Sequence, residues 1–211
     1  MKLIHLLRKA LTLEHFSVAQ LLAISGPHSG HLSKLSRMVT AGELVRVKRG
    51  LYVFGPSYQK LPPNIFALAN LVYGPSYVSL ESALSYYGLI PERVTTVMSV
   101  SAKSRKRFKT QLGEFFYRKI PATAFPIGVR SIRGNSGSFI IATKEKAFLD
   151  KLYLDAPLDC LEDFAHESLR IEDEYIKSLN WRSLIVFAEF YNCRKFCQAI
   201  SSLAKSIQRK A

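Results

Sequence analysis

Apolar positions recur at helical spacing through most of this chain, and the firmest instance lies at residues 76–92. There Leu80, Ala83, Leu84 and Tyr87 fall at i, i+3, i+4 and i+7, the signature of one helix face. Ser79 is placed to cap the start, and Glu81 puts a negative charge in the first turn, where the helix dipole favours it. Gly88 stands where a left-handed residue is needed, with Leu89 able to fold back on Leu84, and Pro91 prevents continuation. The spacing predicts a helix over 79–87.

Three further helical patterns precede a change of period. Leu3, Leu6, Leu7 and Leu11 share one side of a first helix, residues 1–11. In residues 16–26, Ser17 and Gln20 have capping-box spacing, Phe16 and Leu21 that of a hydrophobic staple, and Gly26-Pro27 ends the helix. Ser29 is a fair N-cap for a third helix that runs to Ala41 and stops at Gly42. With residues about 100° apart, Leu32, Leu35, Met38 and Val39 face inward, and Gly30, Ser33, Lys34, Arg37 and Thr40 face outward. His28 and His31 fall in the same turn and helix. Residues 44–54 then alternate apolar and basic positions around Arg49-Gly50, which predicts a β-hairpin with Lys48, Arg49 and Gly50 at its tip. Three helices followed by a basic-tipped hairpin make a winged helix-turn-helix over residues 1–55. Ser29, Ser33, Lys34 and Arg37 are the candidates for base edges and phosphates, and Arg46, Lys48 and Arg49 for the phosphate backbone. The alternatives are an ordinary solvated helix face and a winged helix that binds protein.

Residues 56–63 read as a linker, with prolines at 56, 62 and 63. Asn64 caps a helix through Val72. Residues 94–100 and 114–120 are β-rich, and 129–132 and 138–141 are short strands around a glycine-rich turn. Between the first two lies Lys103, Arg105, Lys106, Arg107 and Lys109, read as a solvated mobile loop or, more sharply, as a contact for nucleic acid or an acidic partner. Thr143 caps a helix over 144–154. On its projection Glu145 falls among Phe148, Leu149 and Leu152, either as a first-turn charge favoured by the dipole or as a carboxylate for a partner. Asp150 and Lys146, four apart, read as a surface pair. Helices near 158–169, 172–178, 181–191 and 193–209 close the chain, with Trp181 packing the later pair. The expected class is α+β: the winged helix-turn-helix, then a mixed α/β domain over 64–211 that ends in helices.

Charge sharpens the picture. The net charge of +14 comes wholly from the first two-thirds: residues 1–60 and 61–150 each carry +7, while 151–211 carry none. Such a field favours a polyanion, although it also aids solubility. The longest apolar runs are too short to span a bilayer, and Arg8, Lys9 and Glu14 interrupt the apolar amino terminus, so the expectation is a cytoplasmic protein without membrane contact. The three cysteines, Cys160, Cys193 and Cys197, are expected reduced, buried and structural. No zinc spacing supports joining Cys160 and His166 in a metal site. The sequence shows no phosphate-binding glycine loop, no nucleophile elbow and no paired-histidine motif, so neither catalysis nor a cofactor or metal is expected. Glu92, Glu114, Glu145 and Asp150 do not have spacing that requires a nuclease centre.

Several of these stretches together resemble the AbiEi antitoxins of abortive-infection, type IV toxin–antitoxin systems. Arg49-Gly-Leu-Tyr-Val resembles their wing, and residues 76–92 their central signature. Residues 113–120 resemble the following strand. Residues 139–150 resemble their strand-to-helix motif, with Lys144 where proline is usual. The resemblance covers roughly residues 15–155. It implies a winged helix that represses its own operon by binding duplex DNA, and a second domain that counteracts a nucleotidyltransferase-like toxin, in some members without a stable complex. Two alternatives stand beside it: a solitary or ligand-responsive winged-helix transcription factor, and a nucleic-acid-processing enzyme targeted by its winged helix.

Overall fold

The computed structural model describes residues 2–27, 30–92 and 94–209. Its first part runs α1 (Leu3–Ala10), β1 (His15–Ser17), α2 (Val18–Ser25), α3 (His31–Thr40), β2 (Leu44–Lys48) and β3 (Leu51–Phe54). The three strands form an antiparallel sheet in the order β1-β3-β2. This is the winged helix-turn-helix order, with a short strand β1 that the periodicity did not reveal. The Ser17–Gln20 capping box opens α2, and Gly26 ends it at φ 75°. The expected cap at Ser29, like His28, lies outside the described residues.

The second part contains α4 (Ile65–Val72), β4 (Tyr77–Val78), α5 (Leu80–Tyr86), β5 (Thr96–Ser101), β6 (Lys106–Thr110), β7 (Gly113–Lys119), β8 (Val129–Gly134), β9 (Gly137–Ala142) and α6 (Lys144–Asp155). Then follow α7 (Leu161–Asp163), a π-helical turn at Phe164–Ser168, α8 (Asp173–Lys177), α9 (Trp181–Glu189) and α10 (Arg194–Arg209). The six strands make one mixed sheet in the order β6-β7-β5-β4-β9-β8. The structure therefore has the α+β class expected. Helix α5 stops with the predicted Schellman pattern, in which Leu89 N–H donates to the Leu84 carbonyl at 2.9 Å and Gly88 N–H to Ser85 at 3.0 Å.

Two cores meet at the wing sheet. Phe16, Leu21, Leu35, Leu44, Tyr52 and Phe54 join α1–α3 in a small core, whereas Val47, Leu51 and Val53 belong to the large core that continues through α4 to the C-terminal helices. Period-2 alternation along β3 thus serves both. The proline-rich segment is tied down at both ends. Gly55 lies so close to the Gly42–Glu43 backbone that a Cβ would sit 2.0 Å from the Gly42 oxygen. Buried Glu14, paired with Arg8 at 2.8 Å, accepts from the Lys60 and Leu61 N–H groups.

Four expectations need correction. In α3 the inward face is His31, Leu35 and Met38, and Leu32 is 65% exposed. Burying His31 is tolerated because its Nε2 donates to the Gly26 carbonyl at 2.9 Å and lies 3.2 Å from Ser25 Oγ. Lys146 and Asp150 are not a surface pair: both are fully buried, because Tyr77, Ser79 and Tyr191 close over them and α9 packs along α6. The Ser79 hydroxyl does not cap α5 but donates to Asp150 at 2.7 Å. Finally, Cys160 is exposed rather than buried, whereas Cys193 and Cys197 are partly buried against the large core. Among the described residues no three His, Cys, Asp or Glu side chains converge as for a metal ion, and no helix is long and apolar enough to cross a membrane.

Candidate nucleic-acid interface

Helix α3 presents Ser33, Lys34, Ser36, Arg37 and Thr40 to solvent, flanked by the exposed Leu32. Small polar side chains allow a backbone to approach a groove closely, and an arginine supplies a bidentate donor for a guanine edge. Among the described residues neither Lys34 nor Arg37 has a carboxylate partner. Helix α3 is held rigidly by its buried face and by His31, so its outer face is presented on a fixed element. Leu32 was missed as a surface residue because periodicity alone could not separate it from His31. An exposed apolar side chain there suits a thymine methyl.

The wing divides its cations by role. Arg46 and Arg49 are exposed, with Gly50 supplying the positive φ of 83° that the hairpin tip requires. A β-bulge between Arg46 and Lys48 sets Lys48 opposite Leu51, on the side of the large core. Its ammonium donates to the Leu71 and Val72 carbonyls at 2.7 and 2.9 Å, which satisfies the C-terminal end of α4. Partial burial lowers its pKa. Lys103 does the same for the Gly74 carbonyl at 2.7 Å. Both lysines are therefore engaged within the fold. Lys48→Ala should cost about 1.5–2 kcal/mol of stability, the low part of the range for a charged hydrogen bond because Lys48 is only partly buried. The salt dependence of DNA binding should stay unchanged, and urea titration beside anisotropy measures both.

The basic run at 103–109 is largely not a loop. Lys106–Thr110 is an edge strand that pairs antiparallel with β7, with Lys109 opposite Glu114 and Arg107 opposite Phe116. Its single apolar residue, Phe108, gave no alternation to read, and long-range pairing with β7 decided the conformation. Charged side chains on an edge also discourage further strand addition. Alternation divides the five cations. Lys106 shares a face with Phe108, whose ring meets Tyr73 and Tyr117, and edge strand β2 of the wing approaches β6. Arg105, Arg107 and Lys109 fall on the other side, where Arg105 and Arg107 lie over the Phe116 ring and Glu114 binds Arg107 and Lys109 at 2.9 and 3.2 Å. Glu145 is half-buried, and its Oε1 accepts from the Asn180 N–H at 3.3 Å, at the start of α9.

Residues 11–55 match the model of a protein family described as "Transcriptional regulator, AbiEi antitoxin". The matched stretch takes in β1, α2, α3 and both strands of the wing, and ends where the proline-rich segment begins. No curated protein matches the chain.

Proposed function

We propose that the protein is a DNA-binding transcriptional regulator of the antitoxin type that acts by binding rather than by catalysis. The observation that carries the reading is the coincidence of two features. The stretch matching antitoxin regulators spans the α2–α3–wing unit, and that unit holds Lys34, Arg37, Arg46 and Arg49 exposed and, among the described residues, without acidic partners. In this reading α3 enters the major groove through Leu32, Ser33, Lys34 and Arg37, and Ser29, outside the described residues, is proposed as a further contact. Arg46 and Arg49 meet the flanking phosphates, and Lys106 extends that contact from the neighbouring edge strand. Residues 1–55 carry operator recognition. Residues 64–211 counteract a nucleotidyltransferase-like toxin, with 56–63 joining the two, and repression of the chain's own operon follows from operator binding. The action is placed in the cytoplasm, where both the DNA and such a toxin would be met.

Arg37→Ala tests the reading of α3. It should weaken binding to a duplex from the protein's own promoter by about 1–3 kcal/mol while narrowing the gap to unrelated sequence. Unchanged anisotropy titrations on both duplexes would remove α3 from the interface. The antitoxin half is tested by co-expression with a neighbouring nucleotidyltransferase-like protein that arrests growth: rescue supports it, and persistent arrest reduces the protein to a solitary regulator.

A further inference from the structure

A cavity of about 490 Å³ opens between α5, β5 and the π-helical turn, far along the chain from the wing. Ile90, Val94, Met98, Phe164 and Leu169 make its walls apolar, while Glu81, Glu92, Asp155 and Lys151 bring charge into it. Its size falls within the range of small-molecule sites, and its mixture of apolar wall and few convergent polar groups is their usual composition.

Three features mark this cavity as a built site. Leu80, buried and bulky, adopts φ 54°, a conformation rare for such a residue. That bend separates the side chains on either side of it: Ser79 reaches Asp150 in the core, and Glu81 turns into the cavity. Next, Phe164–Ser168, which forms part of the wall, is a π-helical turn, a rare form that is frequent at functional sites. Last, the Lys151 ammonium donates to Glu81 Oε1 at 2.5 Å and to Asp155 Oδ2 at 2.7 Å. Asp155 Oδ1 is taken by Arg118 at 2.9 Å, and Arg170 lies 3.4 Å from Glu92 at the rim. Burial would lower the Lys151 pKa, but the hydrogen bonds to Asp155 and Glu81 outweigh it and raise the value, so the ammonium stays charged and occupied. One acceptor is left over. Glu81 Oε2 is buried without a hydrogen-bond partner among the described residues, a state that native structures seldom leave unexplained.

We propose that this cavity binds a small amphipathic cation, a primary amine or guanidinium on an apolar body. A small turn of the Glu81 carboxylate, whose side chain is 29% exposed, would bring Oε2 to the charged head, with Glu92 nearby, and the body would lie against Met98, Phe164 and Leu169. Among the described residues an anion finds no unoccupied donor of comparable strength there, because the lining they form presents three carboxylates against one ammonium that is already paired. The proposal is independent of the DNA-binding reading, since the cavity and the α3–wing unit share no residue.

The test uses three probes with one body and different heads: 4-phenylbutylamine, 4-phenylbutanol and 4-phenylbutyrate, titrated into the full chain by calorimetry. The amine should bind saturably, and more tightly than the alcohol or the carboxylate. Glu81→Gln should weaken it roughly tenfold or more, the scale of a lost charged hydrogen bond. Met98→Trp, which enlarges a side chain of the cavity wall, should abolish binding while thermal melting shows an intact fold. Equal binding of all three heads, amine affinity unchanged in Glu81→Gln, or absence of saturable amine binding to the wild-type chain would each overturn the proposal.

Discussion

Replacing Asp150 with alanine should cost about 3–5 kcal/mol, the scale for removing one partner of a buried ion pair. Among mutations in this chain it is expected to be one of the most severe, because Asp150 is the node of a fully enclosed network. Its Oδ1 accepts from Lys146 Nζ at 2.7 Å and from the Tyr191 hydroxyl at 2.5 Å, and its Oδ2 from Ser79 at 2.7 Å and Tyr77 at 3.0 Å. Lys146 also donates to Tyr191 at 2.6 Å and lies 4.4 Å from the centre of its ring. The network thereby ties β4 and α6 to the segment after α9. Removing the carboxylate strands an ammonium that is 0% exposed. Against a typical total of about 5–15 kcal/mol, such a loss leaves little margin, and urea unfolding should show it directly. Lys146→Met with Asp150→Leu should recover much of it, since apolar replacements leave no charge unpaired.

The same cluster sets the response to alkali. Burial lowers the Lys146 pKa, so the folded state gives up that proton before the unfolded chain does. On its own this makes stability rise with pH up to the unfolded lysine value near 10.5. Tyr77 and Tyr191 are shifted the other way, first by burial and then by Asp150, and stay protonated in the fold while the unfolded chain ionises above about pH 10. Stability should therefore fall above about pH 10.5, by up to roughly 2.7 kcal/mol per pH unit for the two phenols together.

The second large effect concerns charge on the proposed duplex face. Arg46, Arg49 and Lys106 replaced together by serine should flatten the plot of log K against log salt by about 2.7 units if each neutralises one phosphate. Affinity should fall for operator and unrelated duplex alike. Arg105, Arg107 and Lys109 carry the same number of charges but lie on the opposite side of β6, partly neutralised by Glu114. Their replacement should change the slope much less. Equal effects from the two triples would mean that net charge, not the geometry of the wing and β6, governs binding.

Local chemistry was legible in the sequence wherever its partners lie a few residues apart. The capping box at Ser17–Gln20, the stop at Gly88-Leu89 and the turn at Arg49-Gly50 follow from near neighbours, and so did the helix–wing order. What stayed hidden depends on distant partners. Lys146 and Asp150 look like a solvated pair until Tyr191, 41 residues beyond Asp150, closes over them. Lys48 looks like a phosphate contact until α4, 23 residues on, presents its carbonyls. In the same way, Glu81 read as a simple first-turn charge. Only folding brings Lys151, 70 residues away, to one of its oxygens and leaves the other without a donor.

Everything proposed for the N-terminal unit rests on sequence-specific recognition of DNA by α3 and the wing. It is tested most directly by one competition titration of the full chain, with labelled promoter duplex displaced either by itself or by a scrambled duplex of equal length and composition, at about 0.15 M salt. The promoter sequence should be preferred by at least roughly 10³-fold, the lower end for specific DNA-binding proteins. Displacement at equal concentrations by both duplexes would contradict it, because a basic surface alone binds DNA without regard to sequence.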